Sequence, residues 1–219
     1  MMRSSRPSPD RRTTSLTHFV TNFADQAVIL PLVLAVGCTL AALGWVRGAL
    51  AWVLAVGATL ALMLPLKLVA FACGPPVLRS PSGHTAAAAV VVGGLAVVLG
   101  HGRRGRAVLL AAGLGCVLIG VSRLVLGLHT APEVALGGTV GIAGAWALRR
   151  LAGAPPHGLR PGWLVAVAVA VAVLFHGWHL DAEPRIHRVA LLAAREFRVC
   201  RGADLPRVPP PAARTPAAG

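Results

Sequence analysis

The segment Ser80-Pro81-Ser82-Gly83-His84 stands directly before an apolar run. Ser80 is a good helix N-cap, and Pro81 suits the first helical position, where a missing N–H costs nothing. The amides that follow would point out of the helix start, an arrangement that binds phosphate. Gly83 carries no side chain to block an anion, and Ser82 can donate a hydrogen bond. His84 would sit in the first turn beside the bound group, placed to transfer a proton. Taken alone, the segment also reads as an ordinary capped helix with a histidine nearby.

A second group is Ser122-Arg123, followed by His129 and Glu133. Arginine is suited to bidentate phosphate contacts. If residues 129–133 are helical, His129 and Glu133 lie on one face. The carboxylate could then hold the imidazole in the tautomer that leaves its other nitrogen free for attack. Thr130-Ala131-Pro132-Glu133 also reads as a capping box, in which Glu133 would bond the Thr130 amide instead. A third element is Lys67, at the end of an apolar run that Pro65 could kink. A lysine there could snorkel to an interface. With two other anion-binding elements beside it, phosphate binding is the stronger reading.

The elements that must position these groups are helices in a membrane. Of 219 residues, 56% are apolar and 13% charged, against about a quarter charged in soluble domains. The mean hydropathy is +0.72. This composition excludes disorder for the middle of the chain, and the length excludes a large multidomain enzyme. Apolar runs fall at about 28–46, 48–66, 84–100, 107–122, 134–148 and 162–178. Spanning helices need about 20 such residues, so the expected fold is all-α, a polytopic membrane bundle of about six transmembrane helices. Small residues within the runs would let the helices pack closely. Ionisable residues among spans are functional candidates by default. Here they are Lys67, Arg79, Arg123 and Glu133, with His84 and His129, all at span ends on one face.

Residues 1–15 read as a disordered basic tail, 16–180 as the membrane-embedded domain, and 181–219 as a basic amphipathic helix with a Pro-rich tail. In 184–200, Ile186, Val189, Leu192 and Phe197 oppose Arg185, Arg188, Arg195 and Arg198, a pattern that suits anionic lipid. The formal net charge is +14. The arginines sit at membrane edges without aromatic interleaving, so no nucleic-acid partner is expected. Basic loops at 101–106 and 149–160 mark one face as cytoplasmic by the positive-inside rule, leaving Lys67, His84 and His129 outside. The same count puts both basic termini outside, against that rule. Cys38, Cys73, Cys116 and Cys200 are scattered, and support neither a disulfide framework nor a zinc knuckle.

Together these groups resemble the type 2 phosphatidic acid phosphatase superfamily, whose fold is shared with vanadium haloperoxidases. The family pattern is Lys, six residues, Arg-Pro; then Pro-Ser-Gly-His; then Ser-Arg, five residues, His, three residues, Asp. The middle motif is intact as Pro81-Ser82-Gly83-His84, and the last ends in Glu133 where the family has Asp. The first reads Lys67, six residues, Gly74-Pro75, without the arginine. The resemblance spans about residues 20–150. It implies a six-helix bundle with an extracytoplasmic site, in the inner membrane of a bacterium, and metal-free two-step hydrolysis without a cofactor. By the resemblance His129 attacks phosphorus, His84 protonates the leaving oxygen and Glu133 orients His129. Lys67, Ser82, Gly83 and Arg123 hold the phosphoryl oxygens, with Arg79 substituting in part for the missing arginine.

The expected activity is hydrolysis of lipid phosphates, of the phosphatidate or polyprenyl diphosphate class, with that lipid and membrane lipids as partners. A phosphotransferase or a phosphatase for small soluble phosphates is the competing enzyme reading. The non-enzyme reading is a degenerate member that binds or transports lipid phosphate. Gly74 favours the degenerate member, and retention of both histidines opposes it. A haloperoxidase fits poorly with so apolar a chain. His176, His179, Asp181 and Glu183 could ligate a metal, but a polar helix end explains them better.

Overall fold

A computed structural model describes residues 11–75, 77–78, 80–99 and 105–180, and beyond them only 186, 188, 189 and 192. Its elements are α1 (Arg11–Asn22), α2 (Gln26–Ala42), α3 (Val46–Cys73), α4 (Gly83–Val98), α5 (Gly105–Val125), α6 (Ala131–Ala152) and α7 (Pro161–Phe175). There is no strand among the described residues. The all-α expectation holds.

The helices differ in length and polarity. The stretches long and apolar enough to cross a bilayer are Ser15–Ala42, Val46–Phe71 and Gly105–Val125. α4 and α7 are apolar but only 16 and 15 residues long, short of the roughly 20 that a span needs. α6 has the length, but bears Glu133 in its first turn and Arg149 and Arg150 in its last. Three apolar helices of spanning length fit an integral membrane protein, and Leu34, Leu54, Leu110, Leu118 and Val173 lie exposed as lipid-facing residues would.

The chain turns helical earlier than expected, since α1 starts at Arg11, inside the stretch read as a tail. α1 and α2 are separated at 23–25, where Asp25 caps α2 by accepting from the Ala27 amide at 2.9 Å. Of the expected amphipathic helix over 184–200, Ile186, Arg188, Val189 and Leu192 are helical, and the remainder lies outside the described residues.

α4 is the central helix, packed on α3, α5 and α6, while α2 bridges α3 and α7. Alanine and glycine let α4 and α6 approach closely. A side chain at Gly137 would collide with the Ser82 carbonyl, and one at Gly141 with that of Ala86. The core is Val36, Leu40, Val56, Val90, Val98 and Leu148 around Trp52, whose indole donates to the Val33 carbonyl at 3.0 Å. Short connections make successive helices antiparallel. The starts of α2, α4 and α6 therefore gather with the ends of α3, α5 and α7. The opposite end is basic: Arg47 donates to the Leu151 carbonyl at 2.9 Å, and Arg149 and Arg150 lie over the Trp146 ring.

Candidate active site

Helices α3 to α6 each contribute to the site at the first face. Lys67 is on α3, which runs on to Cys73, so this lysine lies inside a helix rather than at its end. It is buried, and its Nζ donates to Ser80 Oγ at 2.9 Å. A lysine spent on snorkelling would be exposed.

α4 begins two residues later than the Ser-Pro pair suggests. Its N-cap is Ser82, whose Oγ accepts from the Thr85 amide at 3.4 Å and lies 2.8 Å from Thr85 Oγ1. Pro81 therefore precedes the cap, and Gly83 is the first helical residue. Ser80 is freed for another task. Its amide donates to Glu133 Oε1 at 2.7 Å, and its hydroxyl receives Lys67. Any side chain at Gly83 would meet the Lys67 stem, 3.5 Å from the position of a Cβ, so lysine and helix start are adjacent.

α5 continues to Val125, which puts Arg123 in its last turn. Gly127 then takes φ +66°, and the amides of Leu126, Gly127 and Leu128 bond back to the carbonyls of Ser122, Leu124 and Arg123. This is a left-handed glycine termination of a helix. It turns the chain so that His129 and α6 start beside the end of α5. Ser122 Oγ bonds the Ile119 carbonyl of its own helix.

Glu133 fills both roles that its spacing allowed. Its Oε2 lies 3.1 Å from His129 Nδ1 and accepts the Thr130 amide at 3.0 Å, so the capping box and the histidine contact share one oxygen. Through Oε1 it also reaches the Ser80 amide. The Ser82 amide bonds the Glu133 carbonyl at 3.0 Å, which joins the starts of α4 and α6. The result is a continuous chain, His129–Glu133–Ser80–Lys67, built from three segments of sequence. The imidazole thus presents Nδ1 to the carboxylate.

A cavity of about 260 Å³ opens at this end, lined among others by Lys67, Gly83, His84 and Arg123. His129 is not in the lining; its side chain is only 2% exposed. Arg79 lies outside the described residues, as do Asp181 and Glu183. The two described histidines of the four-residue group, His176 and His179, have different neighbours. His176 packs against the rings of Phe19 and Phe23, with centroids 4.5 and 4.4 Å away, whereas His179 turns to Asp25.

Sequence reasoning passed over Asp25, which lines the cavity with His18 and His179. The signal was present: Asp25 is the only carboxylate between Asp10 and Glu133, and it abuts an apolar run. Cys73 is disulfide-bonded, although the scatter of the four cysteines supported no disulfide framework; Cys38 and Cys116 are free. Spacing along the chain carries no signal for a cross-link made by the fold. Gly74, where the family's arginine is missing, caps α3 so tightly that a Cβ there would strike the carbonyls of Ala70 and Leu78.

The fold is that of an all-helical integral membrane protein. Residues 68–155 match the family model described as the PAP2 superfamily, beginning one residue after Lys67 and taking in His84, Arg123, His129 and Glu133. That match supports membership of the type 2 phosphatidic acid phosphatase superfamily, whose general chemistry is phosphoric ester hydrolysis. No curated protein and no solved structure gives a significant match.

Proposed function

We propose that the protein is a membrane phosphatase that hydrolyses lipid phosphomonoesters or diphosphates through a phosphohistidine on His129. The observation that carries this reading is the buried His129–Glu133 pair, tied through Ser80 to Lys67 beside a cavity that also presents His84 and Arg123. Nε2 of His129 attacks phosphorus, and His84 gives a proton to the leaving oxygen. Water then cleaves the phosphorus–nitrogen bond. Lys67, Arg123, Ser82 and the Gly83 amide hold the phosphoryl oxygens, where charge spreads in the transition state. Arg79 supplies part of the charge of the absent family arginine.

The lipid assignment draws on a second hollow. A groove of about 390 Å³, lined by apolar residues that include Phe23, Val28, Val92, Ile119 and Ala172, shares Ala24 with the cavity. An acyl or polyprenyl chain fits such a lining, while its headgroup occupies the polar cavity. The basic end of the bundle favours a cytoplasmic position for that end and an exterior site, at the inner membrane of a bacterium.

The test is phosphate release from a panel of lipid phosphates by purified protein in detergent without added metal. The wild type should release phosphate and His129→Ala should not. Release by neither protein from any substrate would instead favour a degenerate binding protein.

A further inference from the structure

Asp25 is a buried carboxylate in a cavity built for an anion, and none of the roles above uses it. Its capping duty does not explain its charge, because Asn or Ser caps a helix about as well. Beside a phosphate, a carboxylate lowers affinity through like-charge repulsion. The charge must therefore answer to a cation. The groups facing the same cavity are Lys67, Arg123 and the imidazoles of His18, His84 and His179. Two of these lie near Asp25 Oδ2: His84 Nε2 at 3.8 Å and His179 Nδ1 at 3.5 Å. His179 has a half-exposed side chain, whereas that of His84 is 24% exposed. Asp25 itself is held firmly, since its Oδ1 accepts the amides of Ala27 at 2.9 Å and Leu180 at 3.2 Å.

We infer that Asp25 is a positioning residue for His84, its carboxylate holding the Nε2 proton so that Nδ1 is the nitrogen that works on the substrate. The inference rests on the phosphatase reading and extends it. At 3.8 Å the contact is an ion-pair distance rather than a hydrogen bond, and catalytic contacts commonly tighten when substrate binds. The site then holds two carboxylate–imidazole pairs with separate tasks: Glu133 backs the nucleophile, and Asp25 backs the acid. In the first step the bond from phosphorus to the leaving oxygen breaks as the bond to His129 Nε2 forms. The leaving oxygen takes the proton from His84 Nδ1. In the second step water attacks phosphorus, the phosphorus–nitrogen bond breaks, and the water proton returns to His84 Nδ1. Throughout, the Nε2 proton stays with Asp25, so His84 cannot present the wrong tautomer for either transfer.

A defect in the acid is recognised by the leaving group it must serve. An alkoxide needs a proton to leave, whereas p-nitrophenolate scarcely does. The experiment compares octyl phosphate and p-nitrophenyl phosphate with full-length protein in detergent, as wild type, Asp25→Asn, Asp25→Ser, His84→Ala and the Asp25→Asn/His84→Ala double variant. Asn and Ser keep the α2 cap and remove the charge. General acid catalysis contributes about 10²- to 10⁴-fold, so Asp25→Asn should lower kcat on octyl phosphate at least tenfold more than on p-nitrophenyl phosphate. The double variant should be no slower on octyl phosphate than His84→Ala, because groups acting as one unit are not additive. Equal losses on both substrates, or a loss that multiplies with that of His84→Ala, would overturn the inference while the phosphatase reading stands. Equal losses with a lowered Tm in both the Asn and Ser variants would assign Asp25 to structure alone. A wild type without turnover on any phosphate ester would overturn both.

Discussion

Glu133 Oε2 stands 3.1 Å from His129 Nδ1 while Glu133 Oε1 takes the Ser80 amide at 2.7 Å. One carboxylate thus holds the ring of the proposed nucleophile and the segment of chain that carries Ser80. Glutamate has one methylene more than the aspartate usual in the family, and here it reaches both partners. Glu133→Asp should therefore lose activity rather than approach the family norm, because the shorter side chain cannot serve His129, Thr130 and Ser80 together. We expect a fall in kcat of about tenfold or more, and for Glu133→Gln a larger one, since replacing a histidine-orienting carboxylate by an amide can cost roughly 10⁴-fold. Steady-state kinetics on one lipid phosphate decides it. A Glu133→Asp variant faster than wild type would show that the reach to Ser80 is incidental.

Lys67 and Ser80 form the other end of this chain. Lys67→Met keeps the stem that packs on Gly83 and removes the charge. It should reduce kcat/KM about a hundredfold or more, the scale of losing one preorganised donor. Ser80→Ala removes only the acceptor that aims the ammonium, and should cost less. If the two variants were equally impaired, the hydroxyl would be contacting the phosphoryl group itself. Kinetics alongside the Tm of each variant separates these outcomes.

Gly74 tests whether the absent arginine can simply be put back. The cap of α3 leaves no room there, because a Cβ would strike two carbonyls, Ala70 from within the helix and Leu78 from the following loop. Gly74→Arg should lower Tm, by overpacking of about 1–3 kcal/mol, and should not raise turnover. A gain in kcat/KM without loss of Tm would mean that the loop after α3 readily adopts the family conformation.

How much of this was legible depends on where each signal lives. The apolar runs marked α2 to α7 to within about four residues, except that α3 runs on past its run to Cys73, because lipid-facing and core positions alike demand apolar side chains. Run length alone does not distinguish them: α4 and α7 are apolar yet short, and α6 is long yet charged at both ends. The site residues were legible because ionised groups stand out in an apolar chain, and Glu133's two competing roles were both readable from its spacing. What that spacing could not reveal is that one oxygen serves both. Nor could it reveal that Ser82 rather than Ser80 caps α4, since the choice depends on Ser80 being drawn to Glu133, 53 residues away. Asp25 was visible as a lone carboxylate beside an apolar run, but its partners, His84, His179 and Leu180, are brought to it only by the fold.

Gly137 tests how tightly the scaffold sets the site. It lies on α6 one turn beyond Glu133 and faces the Ser82 carbonyl, where a Cβ has no room. Gly137→Ala should push the start of α4 from that of α6 and strain the bond from the Ser82 amide to the Glu133 carbonyl. A cost of about 1–3 kcal/mol is expected, read as a lower Tm. Activity should fall further than stability alone explains, because displacements of about 1 Å at a catalytic site can cost a hundredfold. Gly113 is the control: it also lies within a helix, but no atom stands within 4 Å of its Cβ position. Gly113→Ala should raise Tm slightly, as alanine favours the helix by up to about 1 kcal/mol, with kcat unaltered. If the two variants behaved alike, the contact of α6 with Ser82 would have no part in holding the site.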